Sequence, residues 1–320
     1  KKKRAAKFNP SEFISGQTQK SKIALDLFPD KVLNITRREI KEKSVTNYIW
    51  KGKVDGDPKS SVSLSVKGDI LNGIIRSFDG DYEIRSEGDG TISIREIDRT
   101  TFTRHSHETP RRSGTVTARV TPPPPATVAT PTDIDVLFAY TTQAYQRYFD
   151  TRDAIEGTIE SYVEDANNAF EDSGILVRLR SAGTPVEVSY TESGDSVTDL
   201  NRLATANDGF MNNLDTLRNQ RNADVVVLFE RESADDCGRG YVMNRDNWDF
   251  FETRAFAVVR FTCLSIHALA HEMGHIFGVA HDRDNSEGLV PYETFGYGFR
   301  NTIRRDIMAY PCQQINCVMW

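Results

Sequence analysis

Several things are scarce or missing in these 320 residues. No apolar run approaches the roughly 18 residues that a membrane-spanning helix needs, so no helical span is expected. Lys1-Lys2-Lys3-Arg4 is not followed by an apolar stretch, so a secretory signal peptide is expected to have been removed or never included. Cysteine occurs only at 237, 263, 312 and 317, and residues 1–130 have none. An even count confined to one part of the chain suggests two disulfides and a non-cytosolic, secreted home. No C-x-x-C spacing occurs, which speaks against a cysteine-rich zinc module. There is no internal repeat. Basic residues are scattered among acidic ones without stacking motifs, so nucleic acid is not an expected partner.

Charge is uneven along the chain. Residues 1–130 hold 24 Lys+Arg and 16 Asp+Glu, a balance of 24 − 16 = +8, and residues 131–320 hold 16 and 30, a balance of 16 − 30 = −14. The length suits two domains. Residues 45–100 alternate with period 2, as in Val62-Ser63-Leu64-Ser65-Val66 and Thr91 to Ile97, with hairpin signals at Asn72-Gly73, Asp79-Gly80 and Asp89-Gly90. Arg111-Arg112-Ser113-Gly114 and the run Pro122 to Pro125 break this pattern and read as an exposed linker open to proteolysis, or as a plain spacer. A strand over Ile134–Tyr140, a helix over 152–171 ended by Gly174 and a strand over 175–180 follow. A helix near 198–219 and strands over Ala223–Phe229 and Ala255–Arg260 complete the series. The expected class is α+β. Residues 1–110 form a β-rich domain, 111–131 a linker or maturation region, and 132–320 a second domain with a mixed twisted sheet.

That second domain contains His271-Glu272-Met273-Gly274-His275-Ile276-Phe277-Gly278-Val279-Ala280-His281-Asp282, or H-E-x-x-H-x-x-G-x-x-H-D. Imidazoles four residues apart share one face of a helix, so His271 and His275 can hold one Zn²⁺. Gly278 lets the helix stop and the chain turn back, which brings His281 round as a third ligand. Three protein ligands leave a position for water, the arrangement of a catalytic site. The carboxylate of Glu272 can take a proton from that zinc-bound water and pass it to a leaving amine. The alternative is a buried amphipathic helix with incidental histidines, and five fixed positions weigh against it. His267, one turn earlier, is taken as a helix-face residue because three ligands are already present.

Asp306-Ile307-Met308-Ala309-Tyr310-Pro311 follows, with Met308 27 residues after His281. Together with the zinc motif it resembles the Met-turn of the metzincin zinc peptidases. The resemblance implies that Met308 packs beneath the histidines. Asp282 is the residue that reprolysin-like enzymes carry after the third histidine. Tyr310 departs from them and matches the astacin and serralysin pattern, in which a tyrosine could stabilise an oxyanion. Phe295-Gly296-Tyr297-Gly298-Phe299-Arg300, Cys237-Gly238-x-Gly240-Tyr241 and Thr198 to Leu203 look most like the bacterial peptidyl-Asp metalloendopeptidases, a reprolysin-like branch. The front of the chain resembles the β-rich pro-domain of such enzymes. These likenesses imply a zinc endopeptidase in latent form, acting on proteins or peptides and inhibited by its own pro-domain. The strand before the zinc helix is expected to border the cleft and to bind substrate backbone at its edge. A catalytically silent metzincin-fold binding module is the alternative, and the presence of Glu272 argues against it. The residues leave Ca²⁺ open.

Finer expectations follow. Of three possible disulfide connectivities, Cys237–Cys263 and Cys312–Cys317 are favoured, because each pair flanks a loop beside the site. A preference for acidic residues after the scissile bond would need a cation, and Arg300, Arg304 and Arg305 precede the Met-turn; a solvated basic loop is the other reading. With no cysteine in residues 1–130, another group must fill the open zinc position or bulk must block the cleft. Asp81, in Phe78-Asp79-Gly80-Asp81, resembles the aspartate switch of astacin pro-segments, but Asp79-Gly80 and the flanking alternation favour an ordinary hairpin turn there. His105 and His107 are the other candidates, if residues 101–113 lie in the cleft rather than in an exposed linker.

Overall fold

The computed structural model describes residues 2–15, 18–99, 130–231 and 236–312, and the course of the backbone at 106–108 and 318–319. Contacts divide the chain into two units. The first is Lys1–Asp98 with Tyr145–Ile175, and the second is Arg99–Ala144 with Leu176–Trp320.

The first unit contains β1 (Lys3–Lys7), the small hairpin β2 (Ile14–Ser15) and β3 (Thr18–Gln19), then β4 (Lys22–Phe28) and β5 (Lys31–Ser44). β6 (Asn47–Val54), β7 (Ser61–Lys67), β8 (Ile70–Ser77), β9 (Gly80–Ser86) and β10 (Thr91–Glu96) follow. Eight strands make one antiparallel sheet in the order β1-β10-β9-β8-β7-β6-β5-β4. Period-2 alternation gives this sheet two unlike faces. Val62, Leu64 and Val66 join Ile35, Tyr48 and Trp50 in an apolar core. Ser63 and Ser65, pointing the other way, are also buried. The Asp79-Gly80 and Asp89-Gly90 turns lie between strands, but Asn72-Gly73 does not. It sits inside β8, paired with Ser65 and Leu64. The Asn72 side chain has work in the strand: Nδ2 donates to the Ala154 carbonyl at 3.1 Å and Oδ1 accepts the Ser86 N–H at 3.0 Å. At Gly73 a Cβ would lie 2.4 Å from Leu64 Cδ2, so the glycine serves close packing rather than a turn.

In the second unit, β11 (Ser106–Glu108) and β12 (Thr132–Thr141) precede the short helix α1 (Thr142–Tyr148). Helix α2 (Arg152–Asp172) belongs to the first unit by its contacts; the Thr151 side chain caps its start, and Gly174 at φ +70° follows its end. Then come β13 (Val177–Ser181), β14 (Val186–Val188), α3 (Ser196–Ala204), α4 (Asn212–Gln220) and β15 (Val225–Glu230). They are followed by β16 (Gly238–Tyr241), β17 (Phe256–Arg260), α5 (Ala268–Ile276) and the two-residue strands β18 (Arg304–Arg305) and β19 (Val318–Met319). The main sheet runs β11-β16-β17-β15-β12-β13, with β14 also on β12. β12, β13, β14, β15 and β17 run parallel, whereas β16 is antiparallel to β17. This is a mixed sheet in an α+β chain.

Two expectations need correction here. The single helix near 198–219 is two helices, because Asn207, Gly209 and Met211 all adopt positive φ between them. The strand before the zinc motif, β17, is not an edge: β15 flanks it on one side and β16 on the other. The glycine-rich β16 was missed because Gly238-Arg239-Gly240-Tyr241 has little β propensity.

Candidate active site

Helix α5 is buried along its whole length and packs against the paired strands β16 and β17. His267 is not on its face, as expected from spacing, but precedes it at φ +66°, where a 3-10 turn over Phe261–Ile266 gives way to the helix. His271 and His275 lie one turn apart with ring centroids 4.8 Å from each other. Gly278 adopts φ +87°, and its N–H donates to the His275 carbonyl at 2.9 Å. A Cβ there would come within 2.7 Å of Tyr292 Cβ, so the turn requires glycine twice over. Beyond the turn, His281 Nε2 reaches to 3.1 Å from His271 Nε2 and 3.2 Å from His275 Nε2.

The chemistry of this donor set fits a metal ion. His271 Nδ1 is 2.7 Å from the Ile307 carbonyl and His275 Nδ1 is 2.8 Å from the Val279 carbonyl. A carbonyl only accepts, so both Nδ1 atoms carry the proton and both Nε2 atoms keep their lone pairs. Lone pairs converging in a buried spot repel one another unless a cation lies between them. Among the described residues this is the one group of three or more ligating side chains close enough to share an ion.

Glu272, fully buried, packs against β16. A Cβ on Gly238 would lie 2.7 Å from its Oε1, and one on Gly240 would lie 3.2 Å from its Oε2. The two glycines therefore shape the space for the carboxyl. Burial, and secondarily Asp236, push its pKa well above the usual carboxylate range, while Arg239 and the Gly240 N–H oppose that. Arg239 is fixed in turn: its guanidinium pairs with Asp236 at 3.0 Å, and Nε donates to Ser196 Oγ at 2.7 Å. Sequence reasoning gave Gly238, Gly240, Asp236 and Arg239 no role. The G-x-G after Cys237 was the available signal.

The loop after the third histidine is tied together by two carboxylates. Asp282 Oδ2 accepts the Tyr310 N–H at 2.9 Å, and Oδ1 pairs with Arg300 Nε at 2.9 Å. Asp306 accepts the N–H groups of Met308, Ala309 and Phe299 at 3.0, 2.9 and 2.7 Å. The Tyr310 ring lies 4.7 Å from the His281 ring. Met308 packs on α5 so closely that a Cβ on Gly274 would be 2.4 Å from its Sδ. Gly274→Ala is thus expected to cost about 1–3 kcal/mol, the usual range for overpacking, read as a lower denaturant midpoint at constant slope. An unchanged midpoint would show that the Met308 side chain yields freely.

The other candidates are distributed as follows. Arg300 also pairs with Asp284 at 2.9 Å and donates to the Pro311 carbonyl. Arg305 is buried, with Nη1 donating to the Ala309 carbonyl at 3.0 Å. Arg304 is exposed. Asp81 is paired with Arg76 at 3.3 Å within the first unit. His105 lies outside the described residues; the backbone of His107 is in β11, opposite Gly240 of β16. Cys237 is bonded to Cys263, with Cα atoms 5.5 Å apart, which ties the start of β16 to the 3-10 turn before α5. Cys312 is disulfide-bonded, and Cys317 lies outside the described residues.

Three buried histidines able to share a metal ion, with a carboxyl beside them and a mixed sheet alongside, have the arrangement of a metallohydrolase site. Residues 130–319 match metallo-peptidase family M12 (Reprolysin_5), and the chain belongs to that family. The reprolysin-like resemblance is shown, and the family implies zinc as the cofactor. The chain is 30% identical over 262 residues to the peptidyl-Asp metalloendopeptidase of Xanthomonas campestris pv. campestris, covering 80% of this chain and 60% of that protein. It is 29% identical over 266 residues to the peptidyl-Asp metalloendopeptidase of Stenotrophomonas maltophilia, covering 80% and 61%. The chain thus spans about three fifths of the length of these relatives. Among solved structures, metalloproteinase-II from Bacteroides fragilis is similar in fold, with a TM-score of 0.50, 14% identity and coverage of 93% of this chain and 86% of that one. Among the described residues no helix is long and apolar enough to cross a membrane.

Proposed function

We propose that this chain is the latent form of a secreted zinc endopeptidase of the metzincin type, with residues 1–110 as pro-domain, 111–131 as maturation region and 132–320 as catalytic domain. The observation that carries the reading is the convergence of the Nε2 atoms of His271, His275 and His281 beside the buried carboxyl of Glu272. Those three residues would hold the zinc, which when bound supplies a Lewis acid for the scissile carbonyl and for water. Glu272 accepts a proton from the attacking water and returns it to the departing amine nitrogen. The β16 glycines leave the space that its carboxyl occupies, since a Cβ on Gly238 would lie 2.7 Å from Oε1. Tyr310, held by Asp282 through its backbone N–H, offers its hydroxyl to the developing oxyanion. A catalytically silent binding module would have no use for Glu272. The test is casein clearing after removal of the front segment. It should be abolished by a chelator and by Glu272→Ala; clearing that survives Glu272→Ala would sink the mechanism.

For Tyr310 the expected outcome is specific. Tyr310→Phe should lower kcat and kcat/KM together, by about a hundredfold, with KM little changed. An unaltered kcat would reduce Tyr310 to packing against His281.

Latency is supported by β11, which adds in parallel to β16 with Ser106 opposite Arg239 and Glu108 opposite Tyr241. A substrate backbone would use the same edge by β-augmentation, so a strand of the chain itself excludes it. Asp81 is already held by Arg76, which leaves His105 and His107 as the candidate donors to zinc in the uncleaved chain. The relatives' name, peptidyl-Asp metalloendopeptidase, supports a preference for acidic residues after the scissile bond. Arg300 and Arg305 maintain the loop, so Arg304 is the cation we assign to that preference. Arg304→Gln should reduce the selectivity for Asp over Asn peptides by about tenfold, the loss of one charge-assisted contact. An unchanged ratio would remove Arg304 from the account.

A further inference from the structure

Helix α2 lies within the family-matched region 130–319, yet its contacts place it with the front sheet. The face it presents to that sheet is acidic. Glu156, Glu160 and Glu164 recur every four residues, which sets them in one stripe along the helix, with Asp165 beside them. The sheet answers with cations from successive strands. Lys67 of β7 pairs with Glu156 at 3.0 Å and with Glu160 at 3.4 Å. Lys51 of β6 and Lys41 of β5 meet Glu164 at 3.0 and 2.5 Å. Arg76 of β8 meets Asp165 at 2.7 Å. Lys43 of β5 also meets Glu160 at 2.9 Å, and neutral groups add contacts: Asn168 Nδ2 donates to Ser63 Oγ, and Ser65 Oγ donates to Glu160. Gly157 permits the close approach, since a Cβ there would lie 2.9 Å from Asn72 Nδ2.

A face of this kind is unusual for the interior of one domain. The apolar core of the sheet, around Trp50 and Leu64, lies on its opposite side and does not depend on the helix. Parting the sheet from α2 would expose mostly charged and hydroxyl groups that water can solvate, with Ile74 an apolar residue of β8 on that face. Buried ion pairs contribute little net stability against hydrated ions, so they suit a contact that must form selectively and later open.

We propose that the polar face of the β1–β10 sheet is a charge-coded, separable docking surface whose partner is the acidic stripe of this chain's own α2. It keeps the front segment attached to the peptidase-family region after the connection between them is cut. The proposal rests on the reading of the front segment as a removable pro-domain, and not on the catalytic mechanism.

The test uses the full chain in a Glu272→Ala background, with a specific protease site inserted between Ser113 and Gly114. After cutting, the dissociation constant of the two pieces is measured by analytical ultracentrifugation across a salt series. We expect one complex at low salt, weakened at least about tenfold at high salt. Glu164→Lys should weaken it by about tenfold or more at low salt, and adding Lys41→Glu should recover part of the loss. The salt series needs no variant of the interface, so misfolding of a variant does not blur the result. Pieces that separate at every salt concentration would overturn the proposal, as would a complex indifferent to salt and to charge reversal. Either result leaves the peptidase reading to stand or fall on casein clearing.

Discussion

His281→Ala should leave the protein folded but empty of zinc, with casein hydrolysis at background. His271 and His275 sit on one helical face and are oriented by the Ile307 and Val279 carbonyls. Two imidazoles alone make a poor zinc site, because structural and catalytic zinc centres use three or four protein ligands. His281 Nε2 is the atom close to both of the others, at 3.1 and 3.2 Å. Loss of groups that only orient ligands costs about 10–100-fold in metal affinity, so loss of a ligand itself should cost more than about 100-fold. The fold should survive, because Met273 and Ile276 remain buried and α5 packs against β16 and β17 without help from His281. Its melting temperature should drop to that of the chelator-treated parent, since bound metal adds stability only to the folded state. Metal analysis and a melting curve on one sample check both parts. A fully loaded His281→Ala protein would mean that the third ligand is another residue.

The legible parts of this molecule were those in which chemistry forces a local pattern. H-E-x-x-H needs one helix, and the glycine three residues later must turn the chain, so His271, His275, Gly278 and His281 are legible in the sequence alone. The buried strand Val225–Glu230 was visible as an apolar run. The parts that escaped depend on partners distant in sequence. Asn72-Gly73 reads as a turn locally, but Ala154, some eighty residues away, supplies the hydrogen-bond partner that keeps it in a strand. β16 is a strand because Gly238 and Gly240 leave space for Glu272, and glycine carries no strand signal of its own. The acids of α2 look like a solvated helix face until the lysines of β5, β6 and β7 are brought over them. Arg300 and Arg305 look available in the sequence because nothing nearby announces that Asp282 and the Ala309 carbonyl will take them.

Asp282 shows how such distant partners turn a motif into a site. It follows His281 directly, and its carboxylate holds the backbone of Tyr310, 28 residues on. The histidine loop and the Met308 loop are therefore set by one buried group, with Arg300 balancing its charge. Asp306 does the same work within the second loop, accepting three backbone N–H groups. His281 and Tyr310 thus lie in loops braced by carboxylates, as a pre-organised site requires.

Glu272→Gln should lower kcat and kcat/KM together by about 10²–10⁴-fold, the range for losing a positioned proton carrier, while zinc stays bound at one ion per chain. Glutamine keeps the shape, so the fit between Gly238 and Gly240 persists and only the ability to accept and return a proton is lost. Gly238→Ala provides the complementary case. Its Cβ would lie 2.7 Å from Glu272 Oε1, so the carboxyl must turn away although it remains an acid. A comparable loss of kcat is expected, since a displacement of about 1 Å from the reacting geometry can cost about 10²-fold. Placement and proton transfer are thereby separated: the first variant removes the proton carrier in place, and the second misplaces an intact one. Metal content by mass spectrometry and initial rates on a fluorogenic peptide decide the matter. A Glu272→Gln protein that keeps its zinc and retains about a tenth or more of the parent kcat would show that another group moves the proton.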